Sequence, residues 1–384
     1  MGLSLPPRVW TEVSLENIRH NFREIRKITG DRIIMAVVKA DGYGHGAVEV
    51  ARALERECAG SFAPALRFAV ATADEAEELI SAGISTPVMS LGYTSPEDIG
   101  RLFSLGIIQA VYDLDTARII SEYGKAHGKR LKIHIKIDTG MSRLGFTAAE
   151  NMERALDCVR RITALPCIET EGIFTHFATS EAEGDPFPAE QCGVFDELYK
   201  RLGEEGIHIP IRHASNSGGI LNVPSAHYEL VRPGLMLYGI FPGGGPAAGA
   251  ELRPAMQLKA RVAQVHDYIN PVTVSYGRTF SSHAPIRTAT VTIGYADGLH
   301  RALSNKMELI INGRRVKQIG NICMDMLVCD ITGLDGVKPG DAVTVFGRDG
   351  GCEITCGEVA ALAGTIPYEI LCAPSRRVKR TVGS

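Results

Sequence analysis

Short apolar runs alternate with longer amphipathic segments between about residue 15 and residue 240. Short apolar runs bounded by turn residues are typical of buried strands, and apolar residues at a spacing of three to four are typical of helices. The strand-like runs are RIIMAVV (32–38), LRFAVA (66–71), PVMSL (87–91), IIQAVY (107–112), LKIHIKID (131–138), TEGIFTHF (170–177), IPIRHA (209–214) and YELVRPG (228–234). Helical segments between them include AVEVARALERE (47–57), ATADEAEELISAG (71–83) and DTARIISEYGKAHG (115–128). This order predicts a (β/α)8 barrel, with an open doubly wound sheet as the alternative.

The pattern changes after PGGGPAAGAE (242–251), a stretch of glycine, proline and alanine without apolar periodicity. Such a composition is typical of a linker. The residues that follow form short β-like runs bounded by Gly, Asn and Asp, with little helical pattern. We therefore predict a barrel domain over residues 1–241, a linker over 242–251 and a smaller β-rich domain over 252–384.

Composition narrows the class of protein. The chain has 384 residues, of which 45% are hydrophobic, and a formal net charge of −3. That charge gives no electrostatic reason to expect nucleic acid or an anionic membrane as a partner. No apolar run approaches the ~20 residues of a membrane span, and no signal peptide is visible, so we expect a cytoplasmic protein. The nine cysteines form no CxxC pair and no zinc-like spacing, which predicts reduced thiols and no metal site.

Polar groups stand at the ends of five predicted strands. In a (β/α)8 barrel these ends face one shared mouth. The groups are Lys39 before a glycine-rich turn, Lys136 to Arg143, Thr175-His176, His213 to Gly219, and Arg232. Each alone has an ordinary explanation, such as a solvated strand-end lysine, a core histidine or a turn. Their convergence on one mouth favours a ligand site.

Two of these groups together predict the ligand. Asn216 to Gly219 and the Gly234-Leu235 pair follow the last two strands, where barrels commonly hold a phosphate with backbone N–H groups. A lysine in the same mouth, here Lys39, can form a Schiff base with an aldehyde. A phosphate site and an aldehyde-reactive lysine are what pyridoxal 5′-phosphate (PLP) requires. An aldolase that uses Lys39 without a cofactor and binds a substrate phosphate is an alternative.

The strand IHIKID (133–138) alternates isoleucine with polar residues. If the polar face points into the barrel, Lys136 is a buried charge that needs compensation. It could pair with Asp138, or it could be chemically neutralised and then serve as an anionic partner for Arg143. The second domain offers Tyr276 in VSYGRTF and Met324 in NICMDM, and the residues alone assign neither a role.

The segment MAVVKADGYGHG (35–46) resembles the PLP-lysine signature of the alanine racemase family. Further blocks resemble that family in the same order, namely IDTGMSRLGF, GIFTHFA, NSGG, VRPGLMLYG, VSYGRTF, GYADG, NICMDM and IPYEILC. The resemblance covers essentially the whole chain. It implies a fold-type III PLP enzyme with a barrel and a β-domain, acting as a homodimer in which the partner's β-domain completes each active site.

The resemblance also implies roles for residues. Lys39 would bind PLP covalently and act as the base for the D-enantiomer, and Tyr276 of the partner subunit would be the base for the L-enantiomer. His176 and Arg232 would orient Tyr276 and lower its pKa by positive charge, and Arg232 would face the pyridine nitrogen. The implied cofactor contacts are Lys39, Tyr43, His176, Asn216, Ser217, Arg232, Gly234, Leu235 and Tyr368. The implied substrate contacts are Arg143, Met324 and Tyr276.

Lys136 matches a lysine that many members of the family carry as a carbamate bonded to the arginine that matches Arg143. The implied reaction is interconversion of L- and D-alanine by two bases on opposite faces of the substrate, supplying D-alanine for peptidoglycan. Because an arginine cannot act as an acid, Arg232 would leave the pyridine ring unprotonated and discourage transamination.

Substrate choice is less constrained than reaction type. A narrow pocket lined by Tyr276, Met324 and Tyr368 suits a methyl side chain, so we expect alanine. A group as small as a hydroxymethyl is discriminated by only ~1–3 kcal/mol, so a serine or broader-specificity racemase is an alternative. A decarboxylase of the same fold type and a PLP carrier protein are further alternatives. The first would lack the VSYGRTF and NICMDM blocks, and the second would lack the β-domain.

Overall fold

The computed structural model describes residues 7–59, 65–243, 245 and 249–383, which fold into two compact units. The larger unit holds the described residues between 17 and 253, apart from 43–45. The smaller unit holds residues 7–16, 43–45 and 254–383. Within the predicted linker, residues 244 and 246–248 lie outside the described residues. The boundaries at 241 and 252 therefore stay predictions.

The larger unit is built on a parallel sheet. After β1 (Val9–Ser14), which belongs to the smaller unit, the strands are β2 (Ile33–Val37), β3 (Leu66–Val70), β4 (Val88–Ser90), β5 (Ile108–Val111), β6 (Leu131–Asp138), β7 (Phe146–Thr147), β8 (Ile168–Phe174), β9 (Ile211–His213) and β10 (Leu230–Val231). They pair in the order β10-β2-β3-β4-β5-β6-β8-β9, with β7 beside β6. Just beyond β10 and β9, Arg232 N donates to Ser215 O over 2.9 Å, so the sheet nearly closes. The predicted (β/α)8 barrel is confirmed.

Helices alternate with these strands, as the sequence predicts. They are Leu15–Thr29, Ala47–Glu57, Ala73–Ser81, Ile99–Leu105, Leu114–His127, Met152–Thr163, Phe187–Glu204 and Ser217–Asn222. Side-chain caps start four of them, because the oxygen of Thr72, Asp113, Asn151 or Asn216 accepts a backbone N–H of the first turn. No helix of the described residues is long and apolar enough to cross a membrane.

Strand β6 is buried on both faces. Ile133, Ile135 and Ile137 are fully buried, and the alternate residues His134 and Lys136 are only 1% and 5% exposed. Lys136 is in register with Phe174 of β8, which is in register with His213 of β9. These three residues form one row across neighbouring strands, called here the Lys136 layer. Its two polar members, Lys136 and His213, belong to the candidate site.

The smaller unit is a mostly antiparallel β-structure. Its further strands are β11 (Met256–Tyr268), β12 (Val272–Val274), β13 (Phe280–Ser282), β14 (Ile286–Val291), β15 (Glu308–Ile311), β16 (Arg314–Ile319), β17 (Leu327–Asp330), β18 (Ala342–Asp349), β19 (Cys352–Ile354) and β20 (Lys379–Gly383). Its main sheet has the order β19-β18-β15-β16-β17-β14-β11-β1-β20, and β12 pairs with β13. Two helices, Cys356–Ala363 and Pro367–Cys372, complete the unit. The predicted β-rich second domain is confirmed as a fold class.

Strand β1 departs from the predicted boundary, which includes it in the barrel domain. It pairs antiparallel with β11, where Val9 lies opposite Ala260, and parallel with β20. Val9, Trp10 and Val13 are buried in this sheet. The pairing explains why the start of the chain belongs with its end, and no local pattern reveals a partner so distant in sequence.

We predict that replacing the N-cap Asp113 by alanine lowers the free energy of unfolding by about 1 kcal/mol. Its carboxylate accepts Thr116 N over 2.7 Å and Thr116 Oγ1 over 2.8 Å, and both bonds would be lost. Urea unfolding followed by circular dichroism measures the change. Asp115→Ala is the control, because Asp115 is exposed and forms only a surface ion pair with Arg118. Equal losses in the two variants would contradict a capping role.

Candidate active site

Lys39 follows β2 and begins a turn of left-handed backbone. Ala40 and Asp41 both have φ of 52°, Gly42 has 63° and Tyr43 has 51°. This conformation costs roughly 1–2 kcal/mol for each residue with a Cβ. Such strain persists only where the surroundings hold it, and it is common at functional sites. The turn leaves Lys39 half-buried, directly after the buried residues Ile34 to Val38.

The far side of this turn is closed by Asp41 and Gly42. Asp41 Oδ1 accepts Ala47 N over 2.9 Å, at the start of the helix that follows, and Gly42 N donates to Val38 O over 2.8 Å. A Cβ at Gly42 would lie 3.2 Å from Ala47 N, so both the limited space and the positive φ favour glycine. The glycine-rich sequence after Lys39 is therefore a tightly bonded turn.

Arg232 is the most deeply buried cation of the site, with 3% of its surface exposed. Its Nη2 donates to Thr175 O and Ala214 O, both over 2.8 Å, and to His176 Nδ1 over 3.2 Å. Its Nη1 donates to His213 Nδ1 over 2.6 Å. Burial lowers the pKa of Arg232 to about 9, so the guanidinium remains a cation at neutral pH. Its partners are carbonyls and imidazoles, with no carboxylate among them.

A hydrogen-bond relay runs from Arg232 to Glu171. Because a guanidinium only donates, His213 Nδ1 must accept, which leaves the His213 Nε2 proton to donate to His134 Nδ1 over 2.7 Å. His134 Nε2 then donates to Glu171 Oε2 over 3.2 Å. Burial lowers the pKa of both histidines, so both are neutral. Hydrogen bonds from His134 and from Lys132 lower the pKa of Glu171 to about 2, so the hydrogen-bond relay ends on an ionised carboxylate.

Gly172 and Phe174 make room for the relay. A Cβ at Gly172 would lie 2.5 Å from His134 Nδ1, so only glycine lets that ring lie against β8. The ring of Phe174 stacks on His213 with centroids 4.6 Å apart and planes 4° apart. Lys136 Nζ lies 4.6 Å from the centroid of Phe174. These contacts fix the His213 ring and bring Lys136 into the same layer.

Lys136 is a buried amine with a shifted pKa. Burial, followed by the charges of Arg232 and Arg143, lowers its pKa to about 7. Asp138 favours the ammonium form, but its Oδ1 accepts Gly140 N and Ser142 N rather than joining Lys136 in an ion pair. The neutral amine is therefore far more accessible for Lys136 than for a lysine in water.

His176 is neutral in this site. Burial is the largest cause, and the charges of Arg232, Lys136, Arg143 and Lys39 add to it, so its pKa lies well below the usual range. The sequence led us to expect positive charge from both His176 and Arg232. In the structure only Arg232 carries that charge at neutral pH, because a second cation beside it is disfavoured.

The predicted phosphate-binding residues are linked to one another by hydrogen bonds. Ser217 Oγ accepts Gly234 N over 3.0 Å and Met236 N over 3.2 Å. Asn216 Oδ1 accepts the N–H three residues further on, over 2.9 Å. Leu235 is 2% exposed and begins a short 3-10 helix. The loops after β9 and β10 therefore form one bonded structure with backbone N–H groups close together.

The other predicted residues belong to the smaller unit. Tyr276 and Met324 are 74% and 52% exposed. Tyr276 follows Ser275, which has a φ of 64°, and Asn321 Nδ2 donates to Tyr276 O over 2.7 Å. Tyr43 is buried with its ring 5.7 Å from that of Tyr368. The smaller unit thus carries two exposed side chains and a pair of neighbouring tyrosines, of which Tyr43 is buried and Tyr368 partly buried.

Comparisons with known proteins match both units. The family model "Alanine racemase, N-terminal domain" matches residues 13–242, and "Alanine racemase, C-terminal domain" matches residues 255–382. The chain is 42% identical over 376 residues to alanine racemase 2 of Caldanaerobacter subterraneus, covering 98% of this chain and 94% of that protein. It is 43% identical over 373 residues to an alanine racemase of Carboxydothermus hydrogenoformans, covering 97% and 98%.

The chain belongs to the alanine racemase family. A solved structure of an alanine racemase from Clostridium difficile 630 superposes with a TM-score of 0.90 at 37% identity, covering 99% of this chain and 97% of that chain. The resemblance carried by the lysine motif and the later blocks is confirmed. The first family model ends at residue 242 and the second begins at residue 255.

Three residues of this alanine racemase family member that shape the site were not predicted from its sequence, namely His134, Glu171 and Phe174. His213 was among the predicted strand-end groups but had no assigned role, and His134 carried a signal because it shares the polar face of β6. Glu171 and Phe174 carried none, because their roles depend on contacts between strands that only the barrel brings together. The relay is therefore a property of the fold rather than of any motif.

We predict that Gly172→Ala lowers the free energy of unfolding by about 1–3 kcal/mol, because the added methyl collides with the buried His134 ring. The matched control is Gly193→Ala, in the exposed face of the helix Phe187–Glu204, where nothing lies within 4 Å of the added Cβ. Removing a helix glycine there should raise stability by roughly 0.5–1 kcal/mol. Urea midpoints of the three proteins measure both effects. A Gly172→Ala protein as stable as the control would contradict the packing.

Proposed function

We propose that this chain is a PLP-dependent alanine racemase that interconverts L- and D-alanine with two bases. The observation that carries the proposal is the buried Arg232–His176 pair, which lies near enough to Lys39 to feel its charge, in a chain that aligns over 97–98% of its length with alanine racemases. Proteins with those names are similar to this chain over both of its units.

The residues present fit PLP. The cofactor needs an amine for its aldehyde, hydrogen-bond donors for its phosphate and a partner for its pyridine nitrogen. Lys39 is the amine and Arg232 is the buried donor, and the Ser217 hydroxyl lies within hydrogen-bond distance of the Gly234 and Met236 N–H groups in the loops that would hold the phosphate. When bound, PLP supplies an electron sink that acidifies the α-hydrogen of the attached amino acid. Tyr43, Asn216, Leu235 and Tyr368 complete the proposed contacts.

Lys39 and Tyr276 would hold and move the protons. Inverting a carbon centre requires removal of a proton on one face and delivery on the other, so two bases must flank it. The Lys39 Nζ would serve the D-face, and the Tyr276 hydroxyl of the partner subunit would serve the L-face. Arg232 keeps its proton at neutral pH, so it would orient its neighbours by hydrogen bonding without becoming an acid. Arg143 would hold the substrate carboxylate.

The second base supports a homodimer. Tyr276 and Met324 are exposed in the single chain, as expected of residues that contact a substrate held by another subunit. The positive φ of Ser275, directly before Tyr276, is backbone strain of the kind that is common at functional sites, which supports a role for this exposed tyrosine. Alanine is the proposed substrate, and supply of D-alanine for peptidoglycan in the cytoplasm is the proposed role.

We predict that the purified holoprotein exchanges the α-hydrogen of L- and D-alanine in deuterated buffer and racemises both, as NMR and chiral chromatography can measure. Lys39→Ala and Tyr276→Phe should each reduce racemisation by at least about 100-fold, because each removes one base. Lys125→Ala and Tyr123→Phe, both in the helix Leu114–His127, are matched controls that should retain activity.

Wild-type protein that holds PLP but exchanges no alanine would contradict the proposal. Faster exchange of serine than of alanine would replace the proposed substrate with the serine alternative.

We also propose that Lys136 is carbamylated, because a buried neutral amine adds CO2 and releases a proton to give an anion beside Arg143 and Arg232. With 13C-bicarbonate, a carbamate carbon signal should appear in the wild type and be absent from Lys136→Gln. Lys132→Gln is the control that should keep it, since Lys132 is half exposed and ion-paired with Glu171. The Lys136 variant should also lose about 1.5–3 kcal/mol of transition-state stabilisation, as calculated from the ratio of the two kcat/KM values. An unchanged NMR spectrum in the variant would contradict carbamylation at this residue.

A further inference from the structure

We propose that Glu75 is a positioning residue for the reaction, because its carboxylate holds the strained turn that carries the Lys39 amine. The proposal rests on the proposed function, in which Lys39 is one of two bases. Glu75 itself is not a catalytic residue, since it acts on Lys39 through the backbone of the next residue.

The contacts that carry this inference are two hydrogen bonds to one carboxylate. Glu75 Oε1 accepts Ala40 N over 2.7 Å, and Glu75 Oε2 accepts Ala71 N over 2.6 Å. Ala40 is the residue directly after Lys39, and Ala71 directly follows β3. A single side chain therefore ties the start of the Lys39 turn to the neighbouring barrel strand.

The turn needs an anchor at this point. Ala40 has a Cβ and a φ of 52°, a conformation that its own side chain disfavours. The bonds of Asp41 Oδ1 with Ala47 N and of Gly42 N with Val38 O hold the far side of the turn. On the Lys39 side, the Ala40 N–H is bound by Glu75. Releasing it would let Ala40 relax and redirect the side chain of Lys39.

The chemistry of the group also matters. An ionised carboxylate is acceptor-only, and its two oxygens meet two N–H donors. A glutamine would turn an NH2 group toward one of those donors, so Glu75→Gln removes one bond while keeping size and shape. Glu75 also lies in the first turn of the helix Ala73–Ser81, where an acidic residue stabilises a helix. The experiment must therefore separate positioning from helix stability.

Exchange of the α-hydrogen of alanine with solvent, measured in the holoprotein, separates the positioning of Lys39 from helix stability. The two enantiomers have equal free energy in water, so a variant must lower kcat/KM for racemisation by the same factor in both directions. The two bases, however, serve opposite faces. If only Lys39 is misplaced, L-alanine still exchanges its α-hydrogen at Tyr276 of the partner subunit and returns as L-alanine. Exchange of D-alanine becomes slow, because Lys39 must remove its α-hydrogen.

For Glu75→Gln we expect racemisation to fall about ten-fold or more, while deuterium uptake into recovered L-alanine falls far less. The ratio of exchange to racemisation should therefore rise for L-alanine and fall for D-alanine. Glu78→Gln, an exposed position on the same helix, is the control that should leave both ratios unchanged. Ala40→Gly placed in the Glu75→Gln background should restore part of the rate, because glycine adopts the positive φ without cost.

Amide hydrogen exchange of the cofactor-free chain gives a readout independent of activity. The Ala40 and Ala71 amides should exchange faster in Glu75→Gln and remain as in the wild type in Glu78→Gln. Equal loss of exchange and racemisation for both enantiomers, or unchanged racemisation, would overturn the positioning role. A wild-type protein that exchanges no alanine would instead overturn the proposed function, and the amide result would still report on the turn.

Discussion

The site depends on one physical constraint, which is the burial of the Arg232 cation with no carboxylate among its hydrogen-bond partners in the described part of the chain. Its guanidinium is satisfied by two carbonyls and two imidazoles. Burial is the main cause that lowers the pKa of His176 and of Lys136, and the charge of Arg232 adds to it. The nearest charge compensation along its hydrogen bonds comes from Glu171, two histidines away. The barrel interior around Arg232 therefore holds neutral imidazoles beside a permanent cation.

Two strained turns carry the proposed bases. On the barrel, Lys39 stands on a run of left-handed residues that the surrounding hydrogen bonds hold in place. In the smaller unit, Tyr276 follows a strained serine and is fixed by Asn321. Both turns place a reactive side chain on backbone that would relax if its anchors were removed. Rigid placement of this kind is what proton transfer between fixed faces requires.

Much of this could be predicted from the sequence, because the relevant signals are local. Apolar periodicity revealed the barrel strands and helices, and the strand-end motifs around Lys39, Ser217 and Arg232 indicated the site. The signals that failed are long-range. Strand β1 pairs with residues about 250 positions away, and the relay joins His134 to His213 across β8. The positive charge expected of His176 was wrong for a similar reason, since burial next to a second cation cannot be inferred from the chain.

The tautomer of His213 tests the role of Arg232 most directly. Nitrogen-15 NMR of histidine-labelled protein, with the signal assigned by its loss in a His213→Asn variant, reports which ring nitrogen carries the proton. We predict an unprotonated Nδ1 and a protonated Nε2 that persist from about pH 6 to about pH 9, as a donating Arg232 requires. A proton on Nδ1, or titration of His213 near its ordinary pKa, would contradict the buried-cation account of the site.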